Sequence, residues 1–511
     1  MSRSGDAVRM TVIIVTGALL AASCTAPVTT PTSAMSTPSG GGGSTISSAG
    51  STTEQSSPLQ SAISPAMPTP AQDRPHPSLP VSNLPPPPDP TGPDALQRRH
   101  DTAFASLLTT LSTSLQAGNR TQFLASFTPA LAGRVGLWFG NTRALGVSGA
   151  RFARSDDYFS GATDSMSSFS RTVVLGIRTP YDDDGSMPGI PYLVTVSMTT
   201  AKGRPSMSIT TWEPRFLGDP MNCECGLSVV HSPTVAVVFD SADPDLAFWS
   251  TAALAAAGGG IAWSHLQMLG SGLVAPKGQV IFLADRPFHW FLTATAPAQT
   301  SNVTVGLIDA LAPHPGATYS DQSRIVVMLQ SPDGAVIPND QQGREYAADV
   351  ITHESTHQLM NRNSHLAVRS EGSPPTWALE GIAVAVETLY RDSLGDSANI
   401  GYPEPNDPKN IDPGWFRAHL TDQMPTRNQL YSASTDGAGY YAIAGSVFRF
   451  LDQHYGYPTM MRVAAAMYAR PDQDPFAYFP DPLDPADPGH YLPTATARNL
   501  WKNWFVLTYE N

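Results

Sequence analysis

The stretch Thr352-His353-Glu354-Ser355-Thr356-His357-Gln358 constrains this chain more than any other, because as a helix it puts two imidazoles four residues apart on one face with a carboxylate between them. In that form both ring nitrogens can reach one zinc ion, and Glu354, one position on, reaches a water beside it. The flanks suit a helix. Asn339 or Asp340 can cap it, and Tyr346, Val350, His353, His357 and Met360 fall on one stripe at helical spacing. The competing reading is a chance pattern in a chain with 12 histidines.

A catalytic zinc site takes three protein ligands and keeps a fourth position for water, so two imidazoles are not enough. The candidate for the third is Glu380, in Pro375-Thr376-Trp377-Ala378-Leu379-Glu380-Gly381-Ile382-Ala383, a segment that can form a second helix capped by Thr376. A surface glutamate favoured by the helix dipole is the bland alternative. His365, Glu371 and Glu387 are other nearby candidates. Glu387, two turns beyond Glu380 on nearly the same face, is placed either to hold a histidine N–H or to sit in solvent.

His353-Glu354-Ser355-Thr356-His357 followed by Trp377-Ala378-Leu379-Glu380-Gly381-Ile382-Ala383 resembles the gluzincin metallopeptidases, most closely their peptidase MA-like branch. The resemblance implies zinc held by His353, His357 and Glu380, with Glu354 as general base, in a thermolysin-like domain acting on a peptide or protein substrate. A second, softer match is Gly439-Tyr440-Tyr441 running on to Phe450-Leu451 and Gly456, similar to the family helix that lies against the zinc. Aligning its ends implies that Tyr441, rather than Tyr440, stabilises the oxyanion; packing is the alternative role for both tyrosines.

The rest of the chain sets the surroundings. Arg3 and Arg9 precede an apolar run at 10–22, too short to span a bilayer comfortably and of signal-peptide length. It ends in Ala21-Ala22-Ser23-Cys24, which resembles the lipobox of bacterial lipoproteins, with Ala21 where Leu is commoner. The resemblance implies a leader at 1–23, a lipid on Cys24 and an extracytoplasmic, membrane-anchored protein; a plain secreted protein is the alternative. Residues 24–93 are Ser, Thr, Pro and Gly with almost nothing to bury, the composition of a tether. Cys223 and Cys225, one residue apart, can pair in an oxidising compartment or remain free. Asp and Glu total 43 against 30 Lys and Arg, with no basic run to hold a phosphate backbone, so nucleic acid is not an expected partner.

From 94 onward apolar periodicity returns. A helix with Phe104, Leu107, Leu108, Leu111 and Leu115 on one face stops at Gly118, a second opens at Asn119, and strands read at 150–154, 171–178, 191–199 and 206–212, with Lys202-Gly203 as a hairpin turn. Helices followed by a curved antiparallel sheet resemble the NTF2-like fold, so 94–225 reads as an NTF2-like accessory domain, with Asp182-Asp183-Asp184 in a solvated loop. Strands at 227–231, 235–239, 279–284, 303–308 and 324–329 surround an alanine-rich segment broken or closely packed at Gly258-Gly259-Gly260. They lead to the histidine helix and make 226–511 the peptidase-like domain, α+β throughout. The strand 324–329 is the expected edge beside the site. The sequence leaves two other functions open: a binding or scaffold lipoprotein without turnover, and a zinc hydrolase acting on a non-peptide cell-envelope linkage. Substrate identity and oligomeric state are not legible in it.

Overall fold

The computed structural model describes residues 15–17, 95–155, 167–201, 204–214, 219–223, 225–284, 302–311, 319–330, 336–363, 375–395, 411–421, 423–431, 436–470, 473–481 and 490–509. Cys24, the tether, Lys202-Gly203, His365 and Glu371 lie outside the described residues. A short strand, Val15–Gly17 (β1), precedes three helices, Ala95–Gln116 (α1), Arg120–Leu124 (α2) and Pro129–Ala144 (α3). Phe104, Leu108, Leu111 and Leu115 form the buried face of α1, Gly118 ends it with φ of 70°, and the Asn119 side chain accepts from the Gln122 N–H to open α2. Gly149–Arg154 (β2), Ser168–Arg178 (β3), Pro188–Ala201 (β4) and Arg204–Pro214 (β5) then make an antiparallel meander, with Ala201 opposite Arg204 across the expected hairpin.

Leu227–His231 (β6) and Val235–Asp240 (β7) are followed by Leu246–Ala256 (α4), which runs through a wide, π-type turn at Ala257–Ile261 into Ala262–Gln267 (α5). Three more strands follow, Gln279–Ala284 (β8), Asn302–Asp309 (β9) and Tyr319–Met328 (β10). The remainder is helical: Gln341–Asn363 (α6), Thr376–Leu394 (α7), Pro413–His419 (α8), Arg427–Leu430 (α9), Asp436–Tyr455 (α10), Tyr457–Ala469 (α11) and Thr494–Tyr509 (α12).

One mixed sheet runs in the order β2-β3-β4-β9-β10-β8-β7-β6, with β5 on β4 and β1 on β9. β7 and β10 each lie parallel to β8, an arrangement that needs cover on both faces. Their side chains alternate to provide it. Val238, Phe282, Val326 and Met328 join the core shared with α1 and α3, while Val237, Ile281, Ile325 and Val327 pack with α4 and α6. The fold is therefore α+β. The described residues from Ala95 to Tyr509 belong to one compact unit, and hydrogen bonding crosses the boundary expected at 225/226, since Pro188 and Gly189 of β4 pair with Asp309 and Ile308 of β9.

The structure corrects two local expectations. Arg324 to Met328 is no edge: β8 flanks it on one side and β9 on the other, and β9 in turn carries β4 at Ile308 and Asp309 and β1 from Asn302 to Thr304 on its far side. Nor is Asp182-Asp183-Asp184 simply a solvated loop. Asp182 is fully buried and takes a two-pronged ion pair from Arg324 at 2.6 and 2.8 Å, besides the N–H and hydroxyl of Thr179. Asp183 accepts from Gln322 Nε2 at 2.6 Å and from Arg362 at the end of α6. Only Asp184 is exposed, beside Lys277. The run of like charges hid this, because the arginines that answer Asp182 and Asp183 lie 142 and 179 residues away. Cys223 and Cys225 form a disulfide.

Gly258-Gly259-Gly260 is a close packing point. A Cβ on Gly259 would collide with the Tyr390 hydroxyl of α7 and one on Gly260 with Thr352 Oγ1 of α6. By length and composition Leu246–Gln267 could cross a membrane. Here Trp249, Ala252, Ala253, Ala256 and Ile261 of that stretch are buried in the core shared with the sheet and α6.

Replacing Arg324 by Met leaves Asp182 buried without its countercharge, so urea unfolding should show a loss of about 3–5 kcal/mol. The double replacement Arg324→Met with Asp182→Asn should recover much of it; a single variant as stable as the parent would show that the pair does not clasp the β3–β4 turn to the sheet.

Candidate metal centre

α6 begins where the Asp340 side chain accepts from the Gln342 and Gly343 N–H groups at 2.9 and 3.3 Å, so Asp340 is the cap; Asn339 instead bonds Asp245. Its hydroxyls are satisfied within the helix, Thr352 donating to the Ala348 carbonyl and Ser355 and Thr356 to that of Thr352. This lets a polar run from Thr352 to Gln358 lie fully buried against α7 and the sheet. In α7, Pro375 is the cap and Thr376 the first helical residue, without a side-chain capping bond. Gly381, next to Glu380, brings α10 close: a Cβ there would stand 2.6 Å from the Ala444 carbonyl oxygen. That approach sets Tyr441 against the site.

His353, His357 and Glu380 converge, their ligand atoms all within 4.8 Å of one another and each residue no more than 1% exposed. Glu380 Oε2 lies 3.4 Å from His353 Nε2 and 3.7 Å from His357 Nε2. None of these three atoms has a hydrogen-bond partner. A tetrahedral ion with bonds of about 2.0 Å separates its ligands by roughly 3.3 Å, close to the two distances from Glu380 Oε2. Buried polar atoms left bare are costly, and a cation seated among them removes that cost for all three at once. The triad can hold a metal ion.

The other ring nitrogens are spoken for. His353 Nδ1 lies 3.0 Å from Glu387 Oε2, itself buried, so of the two positions open to Glu387 it takes the one that holds a histidine N–H. His357 Nδ1 lies 3.3 Å from the hydroxyl of Tyr468, which also donates to the Leu379 carbonyl. Both rings therefore turn Nε2 inward. Glu354 Oε2 accepts from Thr304 Oγ1 of β9 at 2.7 Å, and the same hydroxyl lies 2.7 Å from the Glu354 carbonyl oxygen. Glu354 Oε1 has no partner.

Burial opposes charge throughout, and the neighbours decide what survives. Burial works against the Glu380 carboxylate, yet the two imidazoles facing it hold its pKa at about 2. Burial works against an imidazolium at His353, but Glu380 and Glu387 raise its pKa well above the usual histidine value. For Glu354 burial wins over the histidines and moves the carboxyl up. Tyr441 is buried with its hydroxyl unpartnered, and burial followed by the charge of Glu380 pushes its pKa well up, keeping it a donor. Tyr440 packs instead on Trp415 and His419.

Sequence reasoning missed Thr304, Tyr431 and Tyr468. Tyr431, just past α9, donates to Glu380 Oε1 at 2.8 Å. Its one legible signal is the Thr426–Gln429 capping box that starts α9. Comparison with protein-family models, curated proteins and solved structures finds no match for the chain.

Protein equilibrated with divalent zinc or cobalt and then dialysed should retain about one ion per chain. His353→Ala and Glu380→Gln should each lose it by elemental analysis; stoichiometric retention by both variants would place the ion elsewhere.

Proposed function

We propose that this chain is a zinc-dependent peptidase of the gluzincin type, held outside a bacterial membrane by a lipid on Cys24. The observation that carries the reading is the convergence of bare, buried atoms: His353 Nε2, His357 Nε2 and Glu380 Oε2, with Glu354 Oε1 and the Tyr441 hydroxyl likewise unpartnered beside them. Two nitrogens and one carboxylate oxygen are a donor set that suits zinc at a hydrolytic site. The helix order, with α6 on the sheet and α7 supplying the acid, supports a thermolysin-like arrangement for 226–511. Three helices leading into the β2–β5 meander support an NTF2-like one for 94–225.

Zinc, when bound, supplies the Lewis acidity that polarises a scissile carbonyl and acidifies a water. The chain's residues do the rest. Thr304 fixes one oxygen of Glu354, leaving Oε1 to take the proton of the attacking water and hand it to the leaving amine. Glu387 and Tyr468 hold the two imidazoles in the tautomer that presents Nε2. Tyr441 donates its free hydroxyl to the oxyanion that forms.

A peptide substrate has further support at β9. Val15–Gly17 adds to that strand as an antiparallel partner, Val15 opposite Thr304 and Gly17 opposite Asn302. The edge beside the catalytic base thus accepts an extended chain by strand addition. The segment that does so lies within the expected leader, whose removal would free the edge for substrate.

Glu354→Gln should lower peptide hydrolysis at least about 100-fold while the ion stays bound. Screening a peptide library with the parent and this variant side by side tests it, and equal cleavage by both would mean another base. In the same assay Tyr441→Phe should reduce kcat by about 10²–10³ with little change in KM; an unaltered kcat would assign that tyrosine to packing.

A further inference from the structure

Glu380 is fully buried, and the structure gives its two carboxylate oxygens different work. Oε2 faces both imidazole Nε2 atoms and has no hydrogen-bond partner. Oε1 accepts the Tyr431 hydroxyl at 2.8 Å. The tyrosine is held by its own local motif. The Thr426–Gln429 capping box starts α9, Leu430 is fully buried beside Tyr431, and the Arg427 guanidinium lies 5.6 Å from the centre of its ring. Beyond Glu380, the elements packed on α9 are α7 and α10, which carry the ligand and Tyr441.

We propose that Tyr431 is a positioning residue that reserves Oε1 of Glu380, so that the carboxylate binds a metal through Oε2 alone and one coordination position stays open. This rests on the metal-centre reading above. The physical case is one of competition. A carboxylate with both oxygens bare beside a divalent ion can chelate it with both, filling the place that water or a carbonyl oxygen needs. A phenol hydrogen bond to one oxygen makes that rotation costly, because breaking it leaves the Tyr431 hydroxyl an unpaired donor in a largely enclosed position. Tyr441 does not do this: its hydroxyl has no partner, and it sits on a different helix. The two tyrosines divide the task, Tyr431 acting on the ligand and Tyr441 on the substrate.

Tyr431→Phe keeps the ring under Arg427 and removes only the hydroxyl. Loaded with cobalt, the parent should show the intense visible absorption of four-coordinate Co(II), and the variant the weaker bands of higher coordination, with metal affinity reduced about 10-fold. Tyr440→Phe, remote from the carboxylate, should match the parent. A Tyr431→Phe spectrum identical to that of the parent overturns the proposal whatever the affinity. A parent that takes up no cobalt or zinc instead removes the metal centre itself. A measurement on the unaltered protein guards against a variant that does not fold. The zinc-loaded minus metal-free infrared difference should show the wide carboxylate splitting of one-oxygen binding, and a narrow, two-oxygen splitting also overturns it.

Discussion

Three carboxylates, Glu354, Glu380 and Glu387, stand buried with two imidazoles to face them, and this excess of negative charge organises the helical half of the molecule. Left to itself such a cluster would be expensive, since burial penalises each charge and the histidines can answer only by binding protons. The pKa directions describe that conflict: Glu380 is held low, His353 is held high, and Glu354 drifts up. A divalent cation resolves it by replacing protons with one compact positive charge at the point where the bare atoms meet. The outer bonds, from Thr304, Glu387, Tyr431 and Tyr468, keep those atoms aimed inward.

Close backbone approach makes the cluster possible. Gly260 lets the α4–α5 turn sit on Thr352, Gly343 passes the Pro338 carbonyl, and Gly381 admits α10 beside Glu380. Gly260 and Gly381 bring the π-type turn and α10 nearer to α6 and α7 beside the cluster than a side chain would allow. Behind them, the two-faced alternation of β7, β8 and β10 gives α6 a flat, fully covered floor. The centre is therefore stiff because of apolar packing, and its polar atoms exploit geometry that hydrophobic residues have fixed.

Much of this was legible in the sequence because it is local. The spacing of His353 and His357, the cap at Asp340, the boundaries of β6, β7 and β8 and the stop at Gly118 all follow from residues within a turn or two of one another. Glu380 was legible through its resemblance to a known ligand segment, and Glu387 through helical periodicity. What stayed hidden depends on contacts far apart in the chain. Thr304 meets Glu354 across 50 residues, Tyr431 meets Glu380 across 51, and Tyr468 meets His357 across 111. Neither a hydroxyl nor a phenol in an ordinary segment announces such a partner. Asp182 and Arg324 misled for the same reason: each was read from its neighbours, one as solvated and the other as an edge, whereas each is explained by the other.

The near-complete enclosure of Glu380 also has a kinetic side. An ion cannot reach or leave ligands that are 1% exposed or less without the surrounding helices parting first. Exchange is then limited by local opening rather than by diffusion or by the strength of the metal bonds. An ion taken up there would exchange slowly, entering and leaving only during such openings.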